Sequence, residues 1–97
     1  MTKQQYVGRF DKNIYLAFKR LAKRKNKSFN HFLNRKIDEL RYDIPLKRCK
    51  EDENYTDKLI YLEAENHKLA KNMLYIKGIT IRDYVQSVME ESLKREI

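Results

Sequence analysis

Cysteine is nearly absent from this chain, and Cys49 is the single copy. One thiol excludes an internal disulfide framework and any cysteine-rich metal site. Its neighbours Arg48 and Lys50 could lower its pKa a little, but an incidental exposed thiol in a linker is the simpler expectation. Glycine occurs twice and proline once, as Pro45, so little material exists for tight turns and long helices are expected. Apolar runs such as Leu59-Ile60-Tyr61-Leu62 are short, too short for a segment that spans a bilayer. The opening Met1-Thr2-Lys3-Gln4-Gln5 is polar and lacks the apolar stretch of a secretory signal. A cytoplasmic protein is the resulting expectation.

What the chain has is charge, unevenly spread. Its 97 residues are 41% hydrophobic and 37% charged, which suits a globular protein rather than a disordered one. That length allows one compact domain or two small units that lean on each other, since a unit of about 45 residues rarely buries enough core alone. Residues 1–50 carry 15 Lys/Arg against 4 Asp/Glu, a net of +11. Residues 51–97 carry 7 against 10, a net of −3. Basic residues often do no more than solvate helices. Both halves look equally helical, yet only the first is basic, as expected when one part meets a polyanion.

The order of patterns is legible from the N-terminus. Gln4 to Phe10 contains Tyr6, Val7 and Phe10 and reads as a strand ending at Asp11, whose carboxylate can cap the following helix. Ile14, Phe18, Leu21 and Ala22 then recur at helical spacing. Asn26, a residue that tolerates the left-handed conformation, breaks that helix. Ser28 caps a second one, with a stripe of Phe29, Phe32, Leu33, Ile37 and Leu40 that ends near Tyr42. A polar linker follows, with Pro45 and the charged run 47–53. Lys58 to Leu62 then reads as a second strand, with Glu63 as a first-turn acid. A third helix carries Leu69, Ala70, Met73 and Leu74 and stops at Lys77-Gly78. Thr80-Ile81-Arg82-Asp83 fits a capping box and opens a last helix through Tyr84, Val85, Val88, Met89 and Leu93.

Shifting the chain by 52 residues lays Phe10 on Leu62, Asp11 on Glu63, Leu21 on Met73, Asn26 on Gly78, Ser28 on Thr80 and Phe32 on Tyr84. None of these pairs is identical, but the roles match, which points to a duplicated unit. The expected division is a first unit at 1–42, a linker at 43–55 and a second unit at 56–97.

Strand, helix, Asn/Gly stop, Ser/Thr cap and second helix within about 40 residues resemble the ribbon–helix–helix superfamily of DNA-binding proteins. The likeness is closest at Asn66-His67-Lys68-Leu69 and from Lys77-Gly78 to Val85, and covers roughly residues 4–41 and 57–95. A tandem pair in one short basic chain is similar to regulators encoded by plasmids and archaeal viruses. The resemblance implies a mainly helical fold with a short antiparallel β-ribbon, a tandem pseudo-dimer whose ribbon enters the major groove. Alternation then leaves Gln5, Val7 and Arg9 facing bases, because Phe10, Gly8 and Tyr6 face the helices. Arg can donate twice to guanine, Gln can pair with adenine, and Val can touch a thymine methyl. In the second strand the outer residues are Asp57, Leu59 and Tyr61, a weaker set for DNA, unless the register there is shifted by one. A second expected contact is phosphate at the helix N-termini, with Lys27, Ser28 and Asn30 at one and Thr80 and Arg82 at the other. Ser28 and Thr80 also have a simpler role as caps.

Catalysis finds little support. His31 and His67 lie in different units, and Asp38-Glu39 and Glu90-Glu91 are adjacent helical pairs that diverge. No glycine-rich phosphate loop and no His/Cys pair at metal-ligand spacing is present, so no catalytic residue, metal or cofactor is expected. The expected partner is double-stranded DNA, with self-association on it and neither a membrane nor a small-molecule substrate. A transcriptional repressor is the leading reading. Alternatives are a plasmid partition or relaxosome accessory protein, an antitoxin, and a helical interaction module that does not bind DNA.

Overall fold

A computed structural model describes residues 3–50 and 53–96. Met1, Thr2, Glu51, Asp52 and Ile97 lie outside the described residues, and with them the start of the polar opening and part of the charged run. The elements are β1 (Lys3–Asp11), α1 (Lys12–Arg24), α2 (Phe29–Leu40), β2 (Tyr55–Glu63), α3 (Ala64–Lys77) and α4 (Ile81–Arg95). The protein is therefore mainly helical with one two-stranded antiparallel sheet. Both strands are longer than the alternation alone suggested, and β2 begins inside the stretch expected to be linker.

The helix boundaries have local causes. Asp11 Oδ1 accepts from the amides of Asn13 at 2.8 Å and Ile14 at 3.1 Å, which opens α1. Asn26 closes it at φ 58°, and the Lys27 amide turns back to the Ala22 carbonyl at 3.0 Å. Ser28 Oγ accepts from the His31 amide and Thr80 Oγ1 from the Asp83 amide. Gly78 stops α3 at φ 67°, where a side chain would be strained and a Cβ would also crowd Arg48. Glu63 precedes α3 without giving its carboxylate to a helical amide; Arg35 holds it instead, at 2.9 and 3.0 Å.

The strands pair within the one chain, with Val7 opposite Leu59, Gln5 opposite Tyr61 and Arg9 opposite Asp57. The 52-residue shift that aligns the halves also carries Val7 onto Leu59, so the central pair consists of equivalent residues. Hydrogen bonds follow the same relation. The Glu63 amide donates to Asn34 Oδ1 at 2.9 Å, and the Asp11 amide donates to Gln86 Oε1 at 2.8 Å. Asn34 maps onto Gln86 and Asp11 onto Glu63 under that shift.

One face of the ribbon rests on the helices. Gly8, Phe10, Ile60 and Leu62 are buried, and Phe10, Ile60 and Leu62 join Phe18, Leu21, Leu33, Ile37, Met73, Tyr84, Val85, Val88 and Met89 in a single core. The halves thus share their interior, which answers the difficulty of a 45-residue unit burying enough on its own. Gly8 is small for a reason: a Cβ there would meet the Tyr6 ring at 2.7 Å and the Phe10 ring at 3.2 Å. Lys58 lies across from Gly8 on this inner face and sets its ammonium over the Tyr15 ring, 5.2 Å from the centroid.

Two expectations about the core need correction. The helical spacing predicts Leu74 on the buried stripe of α3, but it is 47% exposed, next to Tyr75 at 76% and Ile76 at 67%. Tyr15, outside the expected stripe, is buried and stacks against Phe29 at 4.7 Å. The segment after α2 is also more than a polar tether. Ile44 and Leu46 pack on the core, the Lys47 amide donates to Ser87 Oγ at 3.1 Å, and the Cys49 amide donates to Asp83 Oδ1 at 3.0 Å. This strap fixes the entry to β2 along α4.

Candidate nucleic-acid interface

The other ribbon face looks outward. Lys3, Gln5, Val7 and Arg9 are exposed on β1, as are Asp57 and Leu59 on β2, with Tyr61 half-buried at the Gln5 end. The alternation expected of β1 therefore matches the observed burial, and β2 follows without a one-residue slip. Backbone bonding explains why these rows sit close. The Tyr61 amide donates to Asn30 Oδ1 and its carbonyl accepts from Asn34 Nδ2, both at 3.0 Å, so Tyr61 turns its backbone away from Gln5. Gln5–Tyr61, Val7–Leu59 and Arg9–Asp57 are then the non-hydrogen-bonded pairs of the ladder, whose side chains approach most closely.

Three different chemistries result along the face. At one end Gln5 Nε2 donates to the Tyr61 hydroxyl at 3.4 Å. The middle is apolar, with Val7 63% and Leu59 46% exposed. At the far end Arg9 Nη1 lies 3.6 Å from Asp57 Oδ1, and Arg9 Nη2 donates to the Tyr55 carbonyl at 3.1 Å. An exposed ion pair at that distance contributes little stability, so another partner could displace it at small cost.

The helix N-termini flank the ribbon. Asn30 brings the start of α2 against the outer edge of β2. On the opposite side, the Arg82 backbone lies within hydrogen-bonding reach of the Tyr6 hydroxyl, so α4 begins beside β1. Burial raises the pKa of that hydroxyl, partly offset by Arg82. Lys27, Ser28 and Thr80 are exposed at these termini. Asn30 and Arg82 are engaged within the fold: Asn30 Oδ1 is occupied by the strand, and the Arg82 guanidinium sits 3.6 Å from Asp83 with its side chain only 21% exposed. The α2 terminus thus presents more open polar groups than the α4 terminus.

No protein-family model, curated protein or solved structure matches this chain.

Sequence reasoning missed the groups that hold the ribbon in place. Asn34 is 2% exposed, Asn66 4% and Gln86 6%; Asn66 Nδ2 donates to Asn34 Oδ1 at 2.9 Å, and Gln86 Nε2 donates to the Tyr55 hydroxyl at 3.0 Å. In the sequence these amides look like ordinary polar helix positions; the 52-residue alignment of Asn34 with Gln86 was the available signal. Cys49 also differs from the expectation of an incidental exposed thiol, since it is half-buried. Burial and then the Asp83 carboxylate push it up to about 12, and the nearby Arg82 only partly opposes them. For Asp83 itself burial pushes upward, but the Cys49 amide and thiol, Thr80 and Arg82 outweigh it and hold the carboxyl below its ordinary value. Among the described residues no cluster of His, Cys, Asp and Glu could hold a metal ion, and no helix is long and apolar enough to cross a membrane.

Proposed function

We propose that this chain is a sequence-specific double-stranded DNA-binding regulator, acting in the cytoplasm as a repressor, and that it folds as a tandem ribbon–helix–helix pseudo-dimer. The observation that carries the reading is the ribbon register. The residue pairs lie symmetrically about Val7–Leu59, and the repeat shift maps those same two residues onto each other. Two copies of one unit related by a local twofold axis would produce that register. A two-stranded ribbon fits the major groove, and its exposed side chains would meet base edges. The net +11 of residues 1–50 supplies the sequence-independent attraction to phosphate.

Gln5, Val7 and Arg9 are the proposed base readers. Lys27, Ser28 and Thr80 are the proposed phosphate contacts, with Asn30 and Arg82 acting mainly through the backbone amides they help to orient. An antitoxin would need a segment to grip its toxin, whereas residues 64–95 are spent on two helices of the shared core. That favours a regulator. A partition or relaxosome accessory role uses the same contacts and differs only in which DNA is bound.

The test is binding of the full chain to duplex DNA from upstream of its own coding sequence, in competition with unrelated duplex over a range of salt. Specific retention with a steep salt dependence is expected. Arg9→Ala should weaken specific binding by about 1–3 kcal/mol, and neutralising Lys27 should lower the salt slope by about one unit. Equal affinity for every duplex would refute sequence-specific regulation.

A further inference from the structure

Resting on that reading, we infer that the chain recognises a non-palindromic DNA site in one fixed orientation, and that Asp57 is a specificity-determining residue, acting with Arg9 on a single G·C base pair. Two identical chains would place the same side chains at both ends of the ribbon. Here the local axis relates Arg9 to Tyr61 and Gln5 to Asp57. One end therefore offers a guanidinium beside a carboxylate, the other an amide beside a phenol. No base sequence that reads the same from both sides can match both ends.

The Arg9–Asp57 row has the geometry for joint reading. The two residues are directly opposed in the ladder, their charged groups lie 3.6 Å apart, and the side chains are 46% and 66% exposed. In the major groove guanine presents two acceptors and the cytosine paired with it presents an amino donor. A guanidinium and a carboxylate side by side complement that pattern across one base pair. The carboxylate also has no complementary donor on a thymine, so it discriminates against the wrong pair. This turns the least DNA-like residue of the face into a reader.

The rest of the face sets the spacing. Successive rows on one face of a strand are about 6.8 Å apart, so the Arg9–Asp57 and Gln5–Tyr61 rows are separated by roughly 14 Å, the length of about four base pairs. Val7 and Leu59 lie between them, where thymine methyl groups suit an apolar surface.

The experiment selects binding sites for the full chain from random-sequence duplexes, then repeats the selection with Asp57→Ala and Arg9→Ala. A recovered motif that differs from its own reverse complement is expected, with a G·C pair at one end. Both variants should lose preference at that same base pair, with discrimination falling roughly 5- to 150-fold. A palindromic motif would overturn the inference while leaving DNA binding intact. So would an Asp57→Ala variant that binds all duplexes more tightly with its base preferences unchanged, since Asp57 would then act only as a repulsive charge. Recovery of no duplex at all would overturn the DNA-binding reading and this inference with it.

Discussion

Truncating Asn34 to alanine tests what holds the ribbon to the helices. The side chain makes four contacts: Nδ2 donates to the Asn30 carbonyl at 2.7 Å and the Tyr61 carbonyl at 3.0 Å, while Oδ1 accepts from the Glu63 amide and from Asn66 Nδ2, both at 2.9 Å. Not all of these count equally. The Asn30 carbonyl lies inside α2 and retains its helical bond, and Asn66 keeps a longer bond to the Asn34 carbonyl at 3.3 Å. The Tyr61 carbonyl and Glu63 amide are the groups stranded by the change. Leaving such a part-buried polar group without a partner costs about 1–3 kcal/mol, so the pair gives roughly 2–6 kcal/mol. For a chain of this size each kcal/mol moves the melting temperature by about 4–8 °C, and Asn34→Ala should melt on the order of 15–25 °C lower. Gln86→Ala, which strands the Asp11 amide and the Tyr55 hydroxyl, should cost somewhat less because that hydroxyl can turn to water at the margin of the core. Thermal and urea denaturation followed by circular dichroism measures both, with exposed Asn72→Ala as the control. If Asn34→Ala is as stable as the control, water satisfies the strand edge and the reasoning fails.

Further outcomes follow from other features. Gly8→Ala should destabilise by about 1–3 kcal/mol, because the new methyl must displace the Tyr6 and Phe10 rings; a chemical denaturation midpoint equal to the parent's would show that those rings yield freely. Since β1 and β2 pair within one chain, the melting temperature should hold constant as protein is diluted a thousandfold, whereas a steady fall would mean pairing between chains. The Cys49 thiol ionises near 9 when free and near 12 in the fold, so its reaction with a disulfide reagent at pH 8 should be slow until denaturant is added. Linkage gives the sign for stability: a raised thiol pKa favours the fold fully below pH 9, and that contribution is lost as pH climbs toward 12. Cys49→Ala should flatten this alkaline decline, and an unchanged pH profile would count against the half-buried thiol as its source.

Much of the architecture was readable because backbone geometry is local. Asp11, Ser28 and Thr80 announce helix starts by the oxygen they offer the first turn, and Asn26 and Gly78 announce stops by the left-handed backbone they accept. The alternation through Tyr6, Gly8 and Phe10 was enough to turn Gln5, Val7 and Arg9 outward. What stayed hidden depends on distant partners. Asn34 and Gln86 become structural only when a strand edge arrives more than 25 residues away in sequence. Ile44 and Leu46 lie in the stretch expected to be a polar linker, yet they pack against the core. Leu74 fits a helical stripe, but it is exposed together with Tyr75 and Ile76, while Met73 beside it is buried. The ion-paired end of the ribbon was invisible for the same reason, since Arg9 and Asp57 meet only through the register.

The ladder also sets a timetable for synthesis. Every residue of β1 waits for a partner 44 to 60 positions later in the chain, and α1 and α2 rest largely on α4, which emerges last. At about 5–20 residues per second, residues 55–95 take roughly 2–8 s to appear. Throughout that interval Phe10, Phe18, Phe32 and Leu33 have no completed interior to enter. The nascent first half is then a strongly cationic segment with exposed aromatic rings, held apart from its copies by mutual repulsion until the second half closes over it.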